Sequence, residues 1–299
     1  MAISQVRAQI NGTWYTLTLS STNTYTATIT APGSTSYTKT GGYYDVTVEA
    51  TNTAGTVTTQ NASGLAALKL VVKEKVAPVI TILSPTSGAY VVNNKQPVTF
   101  TIVDEAGGSG INLSTLVVKQ DNTTVASSTI TSTAITNGYS VTYTPATALS
   151  DGSHTVSISV SDNDGNAAAA KSTTYKVDTV PPTLNITAPA NGLVTNTASL
   201  VVRGTTNDAS SSPVTVKITL RGTDQGTITV GSDGAFSKTL TLAEGANDII
   251  ITATDSAGKS SSVTRTVTLD TSKPVIKSAV ITPNPVDAGT SMVITVVVE

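Results

Sequence analysis

Few side chains in this sequence have the chemistry for catalysis. His154 is the one imidazole in 299 residues, and there is no cysteine. The lack of thiols excludes thiolate nucleophiles, disulfide scaffolds and zinc–thiolate centres together. His154 stands two residues after Gly152, and the matching positions after Gly42 and Gly245 hold Tyr44 and Asn247. A position that takes His, Tyr or Asn at the start of a strand reads as a structural polar or aromatic site rather than a general base. Glycoside hydrolysis needs two acids facing each other across a cleft. Here the acids sit in turns or singly on strands, and no Gly-x-Ser-x-Gly, phosphate loop or His-Glu-x-x-His is present. A non-enzyme without cofactor is expected.

Two acidic stretches invite a calcium reading. They are Asp162-Asn163-Asp164-Gly165-Asn166, and Asp104-Glu105 ahead of the glycine-rich loop that runs to Gly110. Calcium takes six to eight hard oxygens, and an EF-hand loop closes with a bidentate Glu. That register would put Val160 at the first ligand position, so the EF-hand fails. The equivalent loops, Asn52 to Gly55 and Asp255 to Gly258, carry fewer acids. A plain turn without metal is expected, with a weak interdomain calcium at Asp162 and Asp164 as the alternative.

Aromatic residues are the other candidates. Trp14, Tyr15, Tyr25, Tyr37, Tyr43 and Tyr44 fall near the N-terminus and include the single Trp. Alternation puts Tyr15 with Leu17 and Leu19, Tyr25 with Ala27 and Ile29, and Tyr44 with Val46 and Val48, which makes those three core. Trp14 and Tyr43 fall on the polar faces and Tyr37 in a loop. These three are the candidate contacts for protein or glycan, because exposed aromatic rings suit interfaces and sugar stacking.

The elements that must carry these residues are strands. Thr, Val and Ile are abundant, alternation of period two is nearly everywhere, and turn residues recur every 8 to 12 positions, as in sandwiches and barrels. No window holds a helical period, so the chain is expected to be all-β. Charged residues are only 12% and the net charge is −2, which leaves no electrostatic footprint for nucleic acid. No apolar run is long enough to span a bilayer as a helix. Met1 to Arg7 alternates polar and apolar residues, so if Met1 is the start, export through a signal peptide is not expected.

Self-similarity organises the chain. Three segments, from Gly42, Gly152 and Gly245, each run through one alternating strand to Asn52, Asp162 or Asp255 and then to Gly55, Gly165 or Gly258. In each, a turn glycine opens the strand. An Asn or Asp that bonds local backbone closes it, and a glycine at positive φ follows. Pro78, Pro182 and Pro274 each begin a new strand at intervals of about 100 residues, the size of an immunoglobulin-like sandwich. The expected layout is therefore tandem immunoglobulin-like β-sandwiches in an elongated rod, with modules at 1–76, 77–178 and 179–270. An incomplete module of two strands follows at 271–299. Those strands, about Val275 to Thr282 and Met292 to Glu299, cannot bury a core alone. Met292, Ile294, Val296 and Val298 form an apolar edge open to strand addition. The chain continues, the strands pack on the preceding module, or a partner completes the sheet; the sequence leaves all three open.

Val177-Asp178-Thr179-Val180-Pro181-Pro182, together with the segment from Gly152 to Asn166, resembles bacterial and phage Ig-like repeat modules. The segment from Arg7 to Leu17 and the stretch Thr282 to Gly289 are similar to Ig-like proteins of phage tails. The resemblance implies a non-catalytic structural protein of a virion, in the tail, baseplate or fibre region. It would act as a rod-like spacer and weak multivalent adhesion module, present in many copies and touching other virion proteins and host surface glycans. The alternatives are the repeat region of a bacterial cell-surface adhesin and the glycan-binding part of a larger extracellular hydrolase.

Overall fold

Strands form here because apolar and polar residues alternate between Gly, Asn and Asp turns. In Val98–Val103, Val98, Phe100 and Ile102 are buried while Thr99, Thr101 and Val103 stay half open. A computed structural model describes residues 2–299. Its only helical segments among these are three short 3-10 turns. The chain is all-β, with tandem immunoglobulin-like modules, and it divides into two compact units, Met1–Thr179 and Val180–Glu299.

The first unit opens with one six-stranded sheet. Its order is Thr24–Thr26, Thr13–Ser21, Ile3–Ile10, Tyr44–Asn52 and Val57–Gln60, with Lys69–Leu70 also paired to Tyr44–Asn52. The two-layered module expected over 1–76 is thus a single layer. The reason is local: between Thr26 and Tyr44 the chain runs through loop and a 3-10 turn, so no second set of strands faces the sheet. The alternation itself holds, since Tyr15 lies opposite Ala8 and Ala8 opposite Val48. What fails is the cover. Of the tyrosines expected in the core only Tyr44 is buried; Tyr15 and Tyr25 are half open, and Leu19 is 62% exposed.

The remainder of this unit is a closed sandwich. One layer orders Thr123–Thr124, Ile111–Gln120, Gly152–Asp162, Lys171–Val177 and Tyr90–Val91; the other orders Ile130–Ile135, Gly138–Tyr143, Val98–Val103 and Val79–Ser84. Phe100, Ile102, Val141, Val156, Ile158 and Tyr175 fill the space between them. Each full burial of such an aliphatic side chain contributes about 1.5–3 kcal/mol.

The second unit repeats the plan. Thr183–Ala188, Ser199–Asn207 and Ala235–Thr241 form one layer; Leu193–Thr195, Ser260–Leu269, Gly245–Thr254, Thr215–Leu220 and Thr223–Ile228 form the other. Val202, Ile218, Leu240, Ile249, Ile251 and Val267 make its core. In both sandwiches the first strand ends at a cis X–Pro bond, Ser84–Pro85 or Ala188–Pro189. The next short strand then joins the other layer in parallel, Tyr90–Val91 beside Lys176–Val177 and Leu193–Thr195 beside Val267–Leu269. A last hairpin, Ile276–Thr282 with Val293–Val298, is exposed along its whole length, so it does not pack on the preceding sandwich.

Candidate functional site

The aromatic candidates lie on or beside the open sheet of residues 3–70. Trp14 is 37% exposed, and the Arg7 guanidinium sits 4.2 Å from its ring centroid while also pairing with Glu49 at 2.7 Å. One face of the indole is therefore capped by a cation held in place by a carboxylate. Tyr37 is 51% exposed in its loop. Tyr43 is half-buried, with Lys69 Nζ 4.9 Å from its ring centroid and Gly41 tucked against its edge. The structure does not join the three into one platform. Trp14 pairs with Gln9 and Gln9 with Thr47, so Tyr43 is two strands across and four residues along from Trp14. That is about 16 Å by strand geometry.

His154 is buried, with Nδ1 2.7 Å from Asp121 Oδ2 and Nε2 2.8 Å from the Ser150 carbonyl oxygen. The Ser150 carbonyl and an ionised Asp121 both accept, so the protonated ring satisfies both contacts at once. Burial alone would lower its pKa, but the Asp121 hydrogen bond and the Ser150 carbonyl outweigh it and hold the ring above the usual 6.5. Both ring nitrogens are engaged by the protein itself.

Asp162 and Asp164, the alternative calcium residues, have donors of their own. Asp162 accepts from the backbone and side-chain nitrogens of Asn166 at 2.8 and 2.7 Å, closing its own turn. Asp164 Oδ2 accepts from Thr35 Oγ1 at 2.5 Å and from the Glu74 N–H at 3.1 Å. Its carbonyl takes Lys73 Nζ at 3.2 Å. Asp164 is thus the anchor by which the loop at 35 and the segment 73–74 are fastened to the sandwich. That fastening brings Glu74, which sequence reading passes over, against Asp104 and Glu105. The Glu105 carboxyl is pushed up to about 7, first by its contact with the Glu74 carboxyl, then by burial and by Asp104 beside it.

The edge residues Met292, Ile294, Val296 and Val298 are all exposed, and Val293–Val298 pairs only with Ile276–Thr282 among the described residues. Val293 and Val297, on the opposite face, are exposed too. Surface clefts of about 270 and 530 Å³ occur in the second unit, the larger beside Arg203 and Phe236, and no carboxylate lines either.

Comparison with known proteins places these modules. Residues 87–179 match the family model of a bacterial Ig-like domain, and residues 182–271 match that of glucodextranase, domain B. Over 132 residues, 44% of the chain, the sequence is 27% identical to bacillopeptidase F of Bacillus subtilis (strain 168). The match spans 9% of that relative's length. Among solved structures, fibronectin(III)-like modules of Clostridium thermocellum CbhA align at 17% identity and a TM-score of 0.40, over 64% of this chain and 94% of that one. Domains A168–A170 of titin align at 12% identity and a TM-score of 0.42, over 76% of this chain and 74% of that one.

Proposed function

We propose that the chain is a non-catalytic structural segment of a phage particle, in the tail, baseplate or fibre. It spaces its neighbours and holds a target through weak contacts multiplied over many copies, so avidity replaces single-site affinity. The observation that carries this reading is the contrast between closed sandwiches and the open first sheet, where Trp14 and Tyr37 stand exposed. A single layer with aromatic side chains at its surface suits coverage by another protein of the assembly, and its rings suit host surface glycans. The engaged nitrogens of His154 and the acid-free clefts support the absence of catalysis. Nucleic acid is not a fitting partner for a chain of net charge −2. Among the described residues no helix is long and apolar enough to cross a membrane.

Immunogold labelling of purified particles with antibody against residues 87–179 tests the assignment. Regular decoration of the tail is expected, and unlabelled particles would refute it.

A second reading is favoured by the glucodextranase and bacillopeptidase matches: a non-catalytic segment of a larger extracellular hydrolase. It predicts the same antibody reacting with a secreted polypeptide much longer than 299 residues. A bacterial cell-surface adhesin predicts labelling of the cell envelope instead.

A further inference from the structure

We propose that Glu74, Asp104 and Glu105 form a binding site for calcium, which fastens the segment leading out of the first sheet to the loop 104–110. The site is independent of what partner the chain holds.

Glu74 Oε2, Asp104 Oδ1 and Glu105 Oε2 are buried with no hydrogen-bond partner. Asp104 is only 4% exposed. The backbone accounts for the opposite oxygens of two of these groups. The Ser109 N–H donates to Glu74 Oε1 at 2.5 Å, and the Gly110 N–H donates to Asp104 Oδ2 at 2.7 Å. One oxygen of Glu74 and one of Asp104 are thereby fixed, and the other oxygen of each is left buried without a donor. Once ionised, the three carboxylates only accept, so they cannot satisfy one another. No ion pair among the described residues involves the three; the neighbouring Lys73 ammonium is turned to the Asp164 carbonyl. Buried like charges without donors are costly, and a cation relieves all three at once.

The donor set chooses the ion. The three residues offer oxygen atoms that all lie within 4.8 Å of one another. Calcium–oxygen distances of 2.3–2.6 Å put opposite ligands about 4.6–5.2 Å apart, so these atoms fit one coordination sphere. No imidazole or thiolate takes part, which disfavours zinc and copper. Magnesium demands a tighter octahedron and keeps its water. Gly108 completes the cradle. A Cβ there would lie 2.6 Å from Asp104 Oδ2 and 2.9 Å from Glu74 Oε2, so a side chain would intrude on the carboxylates. The spacing also recurs in the sequence, because Asp178 and Asp208 stand to Pro182 as Glu74 and Asp104 stand to Pro78.

The test is hydrogen exchange on the full chain after chelator treatment, with Ca²⁺ or Mg²⁺ added to about 1 mM, the range in which extracellular calcium modules bind. Calcium should slow exchange across 104–110 by tenfold or more, with Mg²⁺ doing far less. The Asp104→Asn/Glu105→Gln variant should lose the calcium effect while Gly245–Thr254 keeps its protection, which shows that the variant is folded. Gly108→Ala, which keeps every carboxylate, should weaken the response as well. No slowing of the unaltered chain by about 10 mM Ca²⁺, an equal response to Mg²⁺, or an unchanged response in the folded double variant would each overturn the assignment.

Discussion

Asp121 holds His154 from one side and the chain from the other. Its Oδ2 lies 2.7 Å from His154 Nδ1, and its Oδ1 accepts from the Thr155 N–H at 2.7 Å. Asp121 and Asn122 are the positive-φ pair of the tight turn between Ile111–Gln120 and Thr123–Thr124, so the bond ties that turn to the strand Gly152–Asp162.

The pair makes stability depend on pH. His154 is raised, so its contribution is complete below about 6.5 and is lost as pH rises through its folded pKa. For Asp121, burial pushes the carboxyl up, but hydrogen bonds from His154 and Thr155 outweigh it and hold it below the usual 3.8. Its contribution is present above that value and is lost as pH falls through the lowered pKa. The pair's contribution, read as the difference in urea unfolding between the unaltered chain and His154→Ala, should therefore be greatest between about pH 4 and 6.5 and decline above. His154→Ala should cost about 1.5–3 kcal/mol at pH 5 and less as pH rises. An unaltered alkaline slope in that variant would contradict the pairing.

Tyr175 offers the opposite sign. Its ring is fully buried in the first sandwich, its hydroxyl has no hydrogen-bond partner, and burial pushes the phenol up to about 12. Removing an unsatisfied buried hydroxyl recovers its desolvation cost. Tyr175→Phe should leave stability unchanged or raise it by about 1 kcal/mol, read as a higher Tm. A loss of more than that amount would reveal a partner for the hydroxyl.

Gly204 allows a close approach of strand, carbonyl and ring in the second sandwich. A Cβ at this position would lie 2.5 Å from the Asn185 carbonyl oxygen and 2.6 Å from Phe236 Cζ. Gly204→Ala should cost about 1–3 kcal/mol by overpacking, with the midpoint of denaturant unfolding moving down. A neutral result would mean that the Ser199–Asn207 strand can shift freely.

The exposed hairpin should associate. With both faces of Val293–Val298 open and one edge unpaired, ultracentrifugation is expected to show concentration-dependent self-association. Ile294→Lys/Val296→Lys should reduce it by tenfold or more without altering the Tm. Equal association in the two proteins would move the contact elsewhere.

Trp14 and Tyr37 can be removed without touching a core. Trp14→Ala/Tyr37→Ala should keep the Tm within about 1–2 °C and lower incorporation into particles, or glycan retention, by at least tenfold. Full incorporation and retention would refute the contact role.

Local features were readable from residue types and long-range ones were not. The three repeat strands appear as Tyr44–Asn52, Gly152–Asp162 and Gly245–Thr254. The residues that close them act through short loops, as the spacing implies. Asn52 accepts from Ala54 and Thr56, Asp162 from Asn166, and Asp255 from Ala257 and Lys259. Nothing local, by contrast, reveals that Thr35 reaches Asp164, or that this contact carries Glu74 to Asp104 and Glu105. The missing second layer of the first sheet is of the same kind. Tyr15 and Leu19 alternate like core residues, and only the path of the chain from Thr26 to Tyr44 decides that nothing covers them.

The short parallel strands bear on how each sandwich answers a mechanical load. Tyr90–Val91 lies near the entry of its module and Lys176–Val177 at the exit, so pulling on the two ends drags neighbouring parallel strands in opposite senses. The bonds from Gly88 to Thr174, Lys176 to Ala89 and Asp178 to Val91 are then loaded together in shear instead of being unzipped in turn. The second sandwich clamps its ends the same way, with Gly192 bonded to Thr266 and Asp270 to Thr195. Each sandwich is built to resist being drawn out from its termini.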